Sequence, residues 1–222
     1  MNVRLPKGDN RTVVVGSTGS GKTQFAVWLL SQRASLTIPV YIFDYKGDIL
    51  IERLEDEGVA QEISIFGAPP KKGGIYILRP IPELHDKAVE AFLWACWERG
   101  RCLIYIDEGY MFDPRNPALN ACLTQGRSKR IEMIILSQRP RFMSKFVFSE
   151  ASFYALFNLT HIDDRKYLST WVGKKELTIL PKYYCLWYDI ENQNEATFAP
   201  VPDADTIIAS FVTKFSRKAK AI

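Results

Sequence analysis

Short apolar runs that stop abruptly at polar residues recur along this chain. The clearest lies at 131–140, IEMIILSQRP, where aliphatic side chains give way to Ser-Gln-Arg and then to a proline. Comparable runs occupy 11–15, 40–43 and 102–106. Apolar runs without strict alternation are typical of strands that are buried on both faces of a parallel sheet. The pattern therefore predicts a sheet whose strands end in polar groups.

Helical spacing of apolar residues separates these runs. It predicts helices over 22–33, 49–58, 83–99, 116–126 and 163–172. Further short strands are predicted at 62–66, 75–78 and 153–159, and a final hairpin at 183–188 and 196–201 leads into a helical tail. The alternation of strand and helix predicts an α/β fold with a mostly parallel central sheet and helices on both faces.

A length of 222 residues suits one large domain. We expect a single domain over 1–222, with a core at about 11–160 and a C-terminal appendage at about 161–222 that holds the hairpin and the tail. Ligands of such sheets bind at the carboxyl ends of the strands. The polar ends of the strands at 11–15, 40–43, 102–106 and 133–136 should therefore form one site.

Composition narrows the class of protein. The chain is 47% hydrophobic and 24% charged with a net charge of +4, which is ordinary for a globular protein and mildly favours an anionic partner. Four cysteines without a C-x-x-C pair, and only two histidines, argue against a structural zinc site. No stretch approaches the roughly 20 apolar residues of a membrane span. We expect an intracellular protein with reduced cysteines and no membrane span.

The string GSTGSGKT fits the phosphate-binding pattern G-x-x-x-x-G-K-[ST], and it joins a predicted strand to a predicted helix as the pattern requires. Backbone N–H groups of such a loop enclose phosphate oxygens, Lys22 would reach the β- and γ-phosphates of ATP, and Thr23 would bind Mg²⁺. The alternative is a turn that binds nothing, which the flanking elements disfavour. The predicted loop residues are Gly16, Ser17, Thr18, Gly19, Ser20, Gly21, Lys22 and Thr23.

Two acidic residues follow the apolar run in CLIYIDEGY. Asp107 at the end of a buried strand is placed to hold Mg²⁺, and Glu108 can polarise a water molecule for attack on the γ-phosphate. Without the phosphate-binding loop, the same two acids would be equally compatible with a loop cap. Together with that loop, they indicate nucleotide hydrolysis.

Gln138 lies at the polar end of the 131–140 run, and the strand order decides what its side chain can contact. If this strand lies between the strand before the phosphate loop and the strand before Asp107, Gln138 emerges beside the γ-phosphate. Its amide can then bond both the phosphate and the attacking water. The alternative is a glutamine whose partners are loop backbone groups, since buried polar groups need hydrogen bonds.

A basic turn, GRSKR at 126–130, precedes the same strand at its opposite end. Arg127 and Arg130 cannot readily reach the nucleotide of their own subunit, but in a ring they can reach that of a neighbour. A guanidinium at the developing γ-phosphate charge accelerates hydrolysis strongly. A solvated basic turn is an equally simple interpretation.

These strings together resemble the FtsK/HerA superfamily of ring-forming DNA-pumping ATPases. The resemblance covers about residues 11–141 and includes GSTGSGKT, IFDYKGD, CLIYIDEGY and GRSKRIEMIILSQRP. It implies a RecA-like P-loop NTPase fold of the ASCE type. By the resemblance Lys22 and Thr23 bind nucleotide and metal, Asp107 holds the metal and Glu108 activates water. Gln138 corresponds to the phosphate sensor.

The resemblance also assigns Arg127 as the finger that acts on the adjacent subunit. Arg130 stands where the family often has glycine, which makes it a rival for that role. Asp44, Lys46 and Asp48 match a recurrent acidic-Lys-Gly-acidic signature whose role does not follow from the sequence. The C-terminal third matches only loosely.

Because the predicted first strand begins near residue 12, we expect no N-terminal barrel, anchor or sequence-reading domain. In this the chain is similar to the genome-packaging ATPases of membrane-containing icosahedral viruses with double-stranded DNA. The resemblance implies a hexameric homo-oligomer that moves double-stranded DNA into a procapsid. It also implies capsid or portal-vertex partners, and a location in the host cytoplasm and at the packaging vertex of the virion.

Two other functions remain open from the residues. The first is an ATPase that drives virion assembly or secretion by remodelling protein partners, and the second is a small-molecule phosphotransferase. The adjacent glutamate and the glutamine are unusual for the latter. Arg139, Arg141 and Lys145, in the stretch after the 131–137 run, are candidates for contact with a DNA backbone or are simply solvated.

Overall fold

The computed structural model describes residues 3–34, 37–173 and 179–216. Within these ranges the strands are β1 (Arg11–Val15), β2 (Pro39–Asp44), β3 (Ala60–Glu62), β4 (Gly74–Leu78), β5 (Cys102–Asp107), β6 (Ile131–Ser137), β7 (Phe153–Leu156), β8 (Cys185–Asp189) and β9 (Asn194–Phe198). The α-helices are α1 (Lys22–Arg33), α2 (Ile49–Asp56), α3 (Asp86–Arg99), α4 (Pro117–Gln125), α5 (Lys145–Ser149), α6 (Ile162–Val172) and α7 (Ala204–Ser216).

The strands form one sheet in the order β3-β4-β2-β5-β6-β1-β7-β8-β9. The pairs from β3 to β7 are parallel, whereas β8 joins β7, and β9 joins β8, in antiparallel register. The predicted α/β class with a mostly parallel sheet is therefore confirmed. The predicted hairpin is confirmed as well, and it extends the main sheet.

Helices cover both faces of the sheet, which explains why the strand sequences are apolar without alternation. In β1, Val13 and Val15 belong to the apolar cluster that includes residues of α3, α4, α5 and α6 on one face, while Val14 belongs to the cluster that includes residues of α1, α2 and α7 on the other. All three side chains are fully buried. Burial of this kind stabilises the sheet by about 1.5–3 kcal/mol for each large aliphatic side chain.

One charged residue interrupts the apolar run of β6. Glu132 is buried, and both of its carboxylate oxygens accept hydrogen bonds from the Arg33 guanidinium, at 2.9 and 2.8 Å. A buried carboxylate requires such a partner. This bidentate pair ties the last turn of α1 to the strand at the centre of the sheet.

Side-chain caps fix the starts of several helices. Asp48 accepts from the backbone N–H of Leu50 at the start of α2, Asn116 accepts from Leu119 at the start of α4, and Ser144 accepts from Phe146 at the start of α5. Asp, Asn and Ser are the side chains that satisfy the otherwise unpaired N–H groups of a first turn.

The structure differs from the local predictions at one strand and at one helix. The strand predicted at 62–66 is wrong, because β3 ends at Glu62 and a turn follows in which Gly67 donates to the Ser64 carbonyl at 3.3 Å. The helix α5 was not predicted. The predicted helical tail is present as α7 up to Ser216, and its basic end at 217–222 lies outside the described residues.

Candidate functional site

The strand order brings the polar strand ends together. β6 lies between β1 and β5, and β2 follows β5, so that the order β2-β5-β6-β1 is continuous. All four strands are parallel, and their carboxyl ends therefore lie on one edge of the sheet. The phosphate loop, Asp107 and Gln138 therefore lie at the same edge of the sheet.

The loop between β1 and α1 has the backbone that phosphate binding requires. Gly19 and Gly21 adopt φ values of +74° and +96°, in the left-handed region that favours glycine. A Cβ at Gly16 would lie 2.5 Å from the Cβ of Phe157, so that only glycine fits there. The loop thus turns sharply out of the sheet, and the N-terminus of α1 faces the site.

A cavity of about 310 Å³ opens in front of this helix N-terminus. Its lining includes the predicted phosphate and metal ligands Lys22 and Thr23 on the helix side. On the strand side it includes the predicted metal-binding and catalytic acids Asp107 and Glu108. Lys22 is only 5% exposed, although it is a lysine. A buried ammonium at the N-terminus of a helix, where the first N–H groups have no partner within the helix, is an arrangement suited to an anion.

Glu108 contacts two ammonium groups and one backbone N–H group at the cavity. One carboxylate oxygen lies 3.6 Å from the Lys22 ammonium and contacts the Lys46 ammonium, and the other accepts from the backbone N–H of Gln138 at 3.3 Å. Glu108 adopts a φ of +61°, which is uncommon for a residue with a side chain. This backbone directs the carboxylate from the end of β5 towards α1.

Asp107 is buried beside it. Burial, with the nearby Glu108 and Asp48 carboxylates, raises the pKa of Asp107 to about 7, although the Lys46 ammonium acts in the opposite direction. Its Oδ1 atom is buried without a hydrogen-bond partner. Carboxylate and hydroxyl oxygens are the ligands that Mg²⁺ prefers, completed by water and phosphate oxygens. The pair Asp107 and Thr23, on opposite walls of the cavity, fits that requirement.

Gln138 contacts the phosphate loop directly. Its side-chain oxygen accepts from the Thr18 hydroxyl, and its side-chain nitrogen donates to the Tyr110 hydroxyl at 3.1 Å. Tyr110 was not among the predicted site residues. Its position two residues after Glu108, in the string DEGY, was the available signal.

The acidic-Lys-Gly-acidic signature forms the wall at the end of β2. The Asp44 carboxylate accepts from the backbone N–H groups of Lys46, Gly47 and Asp48, at 3.3, 2.9 and 3.1 Å. This fixes a turn that points the Lys46 ammonium at Glu108. Burial raises the pKa of Asp48, which also lines the cavity. The signature therefore has a structural role that the sequence left open.

No family model matches the sequence. A relative does match over nearly its whole length: the DNA packaging ATPase P9 of Enterobacteria phage PRD1 is 38% identical over an aligned length of 228 positions, and the alignment covers 98% of this chain and 99% of P9. The chain belongs to the P9 family of DNA packaging ATPases. The resemblance found in the sequence motifs is thereby confirmed.

Solved structures share the fold of this P9-family chain. The genome packaging NTPase B204 from Sulfolobus turreted icosahedral virus 2, solved with AMPPCP, superposes with a TM-score of 0.67 at 18% identity, over 89% of this chain and 100% of B204. VirB4 of Thermoanaerobacter pseudethanolicus gives 0.66 at 10% identity, over 87% and 89% of the two chains. At such identities the likeness establishes the P-loop ATPase fold and nothing finer.

The basic turn of the P9-family chain lies at the other end of β6. Arg127 is 61% exposed at its side chain and lies 3.8 Å from Asp9, and Arg130 is exposed. Seven residues of strand separate this turn from Gln138, a distance of roughly 20 Å. Arg130 adopts a φ of +57°, which explains why glycine suits that position. Neither arginine reaches the cavity of its own chain.

The arginines that follow β6 are already paired within the P9-family chain. Arg139 donates to the Asp164 carboxylate at 3.0 Å, and Arg141 donates to Asp163 at 3.2 Å. Both guanidinium groups also lie over the Phe142 ring. Their charge is thus largely offset by the first turn of α6, which weakens the expectation that they contact a DNA backbone.

Among the described residues, no helix has the length and apolar character of a membrane span.

Proposed function

We propose that this chain is an ATP-hydrolysing translocase that packages double-stranded viral DNA into a procapsid. The observation that carries the proposal is the single cavity between α1 and β5. Lys22 and Thr23 face Asp107 and Glu108 across it, and Gln138 contacts its edge at Thr18. The P9 relative bears the name of a DNA packaging ATPase, which supports assignment of the same activity here.

ATP is the proposed substrate, and Mg²⁺ the proposed metal. The B204 structures with AMPPCP and with ATP-γS support nucleotide binding by this fold. The loop Gly16, Ser17, Thr18, Gly19, Ser20, Gly21, Lys22 and Thr23 would enclose the phosphates. Thr23 and Asp107 would hold Mg²⁺, which neutralises phosphate charge when it is bound.

Glu108 acts as the base that takes a proton from the attacking water. Its carboxylate now contacts two ammonium groups, those of Lys22 and Lys46. A triphosphate in the loop attracts Lys22 to its own oxygens, so that Glu108 is freed on one side to face the water. The Lys46 contact keeps the carboxylate oriented, because the turn that Asp44 fixes holds Lys46 in place.

Gln138 couples the presence of the γ-phosphate to contacts elsewhere in the chain. Its amide bridges Thr18 in the phosphate loop and Tyr110 after β5. A γ-phosphate beside Thr18 competes for the same amide, so that its arrival and loss alter the contacts of Gln138. Arg139 follows directly and is bonded to Asp164, so that a shift of Gln138 is transmitted to α6.

The proposed working form is a homo-oligomeric ring, with six subunits as the expected number. Arg127 or Arg130 of one subunit then meets the γ-phosphate held by the next. Residues 1–222 act as a single ATPase unit, since β8, β9 and α7 continue the same sheet and core. The proposed partners are double-stranded DNA and capsid or portal-vertex proteins, in the host cytoplasm and at the packaging vertex.

The test is the rate of ATP hydrolysis with and without long double-stranded DNA at low salt. Phosphate-directed DNA contacts are steeply salt-dependent. We therefore expect stimulation by DNA that declines between 50 and roughly 200 mM salt. A rate that is indifferent to DNA but rises with capsid proteins would instead support an ATPase that remodels protein partners during virion assembly.

A further inference from the structure

A second cavity adjoins the proposed phosphate cavity on the far side of α1. Its volume is about 280 Å³, and Tyr183, Phe25 and Val201 provide apolar walls. Pockets for whole small-molecule ligands have about 300–1,000 Å³. This volume is therefore small for a complete nucleotide, but it suits one ring system that is attached to a group bound elsewhere.

Gly21 and Gln24 line both cavities, so that the two spaces adjoin at the first turn of α1. In a phosphate-binding loop the lysine reaches the β- and γ-phosphates, while backbone N–H groups bind the α- and β-phosphates. The γ end therefore faces Glu108 and Gln138. The opposite end of the phosphate chain leaves the loop beside Gln24, at the entrance of the second cavity.

Tyr183 stands at this entrance. A Cβ added to Gly21 would lie 3.1 Å from the Tyr183 ring, which shows how closely the ring approaches the phosphate loop. The side chain is 48% exposed, and the residue adopts a φ of +69°. A left-handed backbone at an aromatic residue is strained, and such strain concentrates at ligand sites. The Lys182 ammonium lies over this ring, 4.7 Å from its centre, but Lys182 does not line the cavity, so that the side of Tyr183 towards the cavity can receive a flat partner.

The wall opposite Tyr183 is held in place by α1 itself. The Gln24 side-chain nitrogen donates to the Pro202 carbonyl at 2.8 Å, which anchors the segment at 200–202 beside the first helical turn. Phe25 is buried beneath. The cavity is therefore a slot with an aromatic ring on one side and a tethered proline-valine segment on the other.

We propose that this slot binds the purine base of the nucleotide, with Tyr183 stacked on the base. The inference rests on the proposed function, because it needs a triphosphate in the neighbouring cavity. A different cavity, of about 210 Å³, also has Tyr183 in its lining, together with Ser17, Phe157 and Tyr184. It adjoins the start of the loop, not the end where the phosphate chain leaves, and so it is the less suitable position for the base.

The test compares two ligands by calorimetry in the presence of Mg²⁺: AMPPCP, which carries a base, and inorganic tripolyphosphate, which does not. Tyr183→Ala should weaken AMPPCP binding about 10-fold to 100-fold, the range expected for loss of one base-aromatic stack. Tripolyphosphate affinity should be unchanged. Tyr183→Phe keeps the ring and should bind both ligands as the unaltered chain does.

Tyr184→Ala is the matched control, because it removes the neighbouring ring from the other cavity; AMPPCP affinity should not change. Equal AMPPCP affinity in Tyr183→Ala and the unaltered chain would overturn the proposal, as would a loss confined to Tyr184→Ala. If Tyr183→Ala weakened tripolyphosphate binding as much as AMPPCP binding, the phosphate loop would be distorted, and the proposal would also be contradicted. If the unaltered chain binds neither ligand, it is the proposed ATPase function that fails.

Discussion

The ammonium of Lys22 lies 3.6 Å from a carboxylate oxygen of Glu108, and both side chains are buried. This pair joins the first residue of α1 to the residue that follows β5. Any phosphate that enters the loop must compete with Glu108 for the same ammonium. Substrate binding and the position of the proposed base are thereby coupled through one ion pair.

Replacement of this carboxylate tests its role as the base. Glu108→Gln keeps the shape of the side chain but removes the proton acceptor, so that ATP hydrolysis should fall by about 10²–10⁴-fold. Binding of AMPPCP should persist or tighten, because Lys22 no longer has a carboxylate partner. Steady-state rates and calorimetry separate the two effects. Glu98→Gln, at an exposed site on α3, serves as the control and should change neither quantity.

Gln138→Ala tests the contact between β6 and the phosphate loop. The variant loses the bonds to Thr18 and Tyr110, and we expect kcat to fall about 100-fold, as for loss of one transition-state donor. AMPPCP affinity should stay within a small factor of the original. Gln125→Ala, at the exposed end of α4, is the comparison. A normal kcat in Gln138→Ala would mean that the glutamine merely closes the loop.

The raised pKa of Asp107 makes stability depend on pH. Because this pKa is about 7 in the folded chain and 3.8 ordinarily, the folded state retains the proton longer. Its stability relative to the unfolded chain therefore falls as the pH rises from about 4 to about 7. Asp107→Asn removes this loss, and its Tm should exceed that of the unaltered chain at pH 8 by roughly 4 °C or more, but not at pH 4.

Thermal unfolding without nucleotide or Mg²⁺ measures this difference. Asp56→Asn, which replaces an exposed acid at the end of α2, should shift the Tm by a similar small amount at both pH values. A constant difference between Asp107→Asn and the unaltered chain across pH 4–8 would show that Asp107 is ionised at little cost. Burial and the neighbouring carboxylates would then not raise the pKa of Asp107 in the folded chain.

Much of this site could be predicted because its parts are local in sequence. A glycine-rich loop after an apolar run, and an acidic pair after another, identify strand ends without knowledge of the fold. To predict that Gln138 lies beside the phosphate loop, one further condition was required, namely that β6 lies between β1 and β5. The structure meets this condition, and Gln138 contacts Thr18.

Contacts between distant segments were not predictable in the same way. Arg139 and Arg141 looked available in the sequence, but Asp164 and Asp163 on α6 pair with them. The role of Lys46 depends on the side chain of Glu108, which only the pairing of β2 with β5 brings near. Similarly, α5 is only five residues long, too short for its periodicity to be recognised.

Mixing experiments test whether the basic turn acts across a subunit interface. Lys22→Ala subunits lack a working loop but keep the turn, and Arg127→Ala or Arg130→Ala subunits have the opposite defect. Loss of the finger should lower kcat by about 10³–10⁵-fold, and mixing with Lys22→Ala should restore part of the activity. Arg115→Ala, at an exposed arginine outside the turn, should remain active alone. If neither mixture recovers, the turn does not act in trans.

Movement along DNA is the central claim, and displacement of a triplex-forming oligonucleotide from long double-stranded DNA measures it most directly. We predict that the unaltered chain displaces the oligonucleotide with ATP and Mg²⁺, but not with AMPPCP, and that Lys22→Ala and Glu108→Gln displace none. ATP hydrolysis at an undiminished rate while the triplex stays in place would contradict the account.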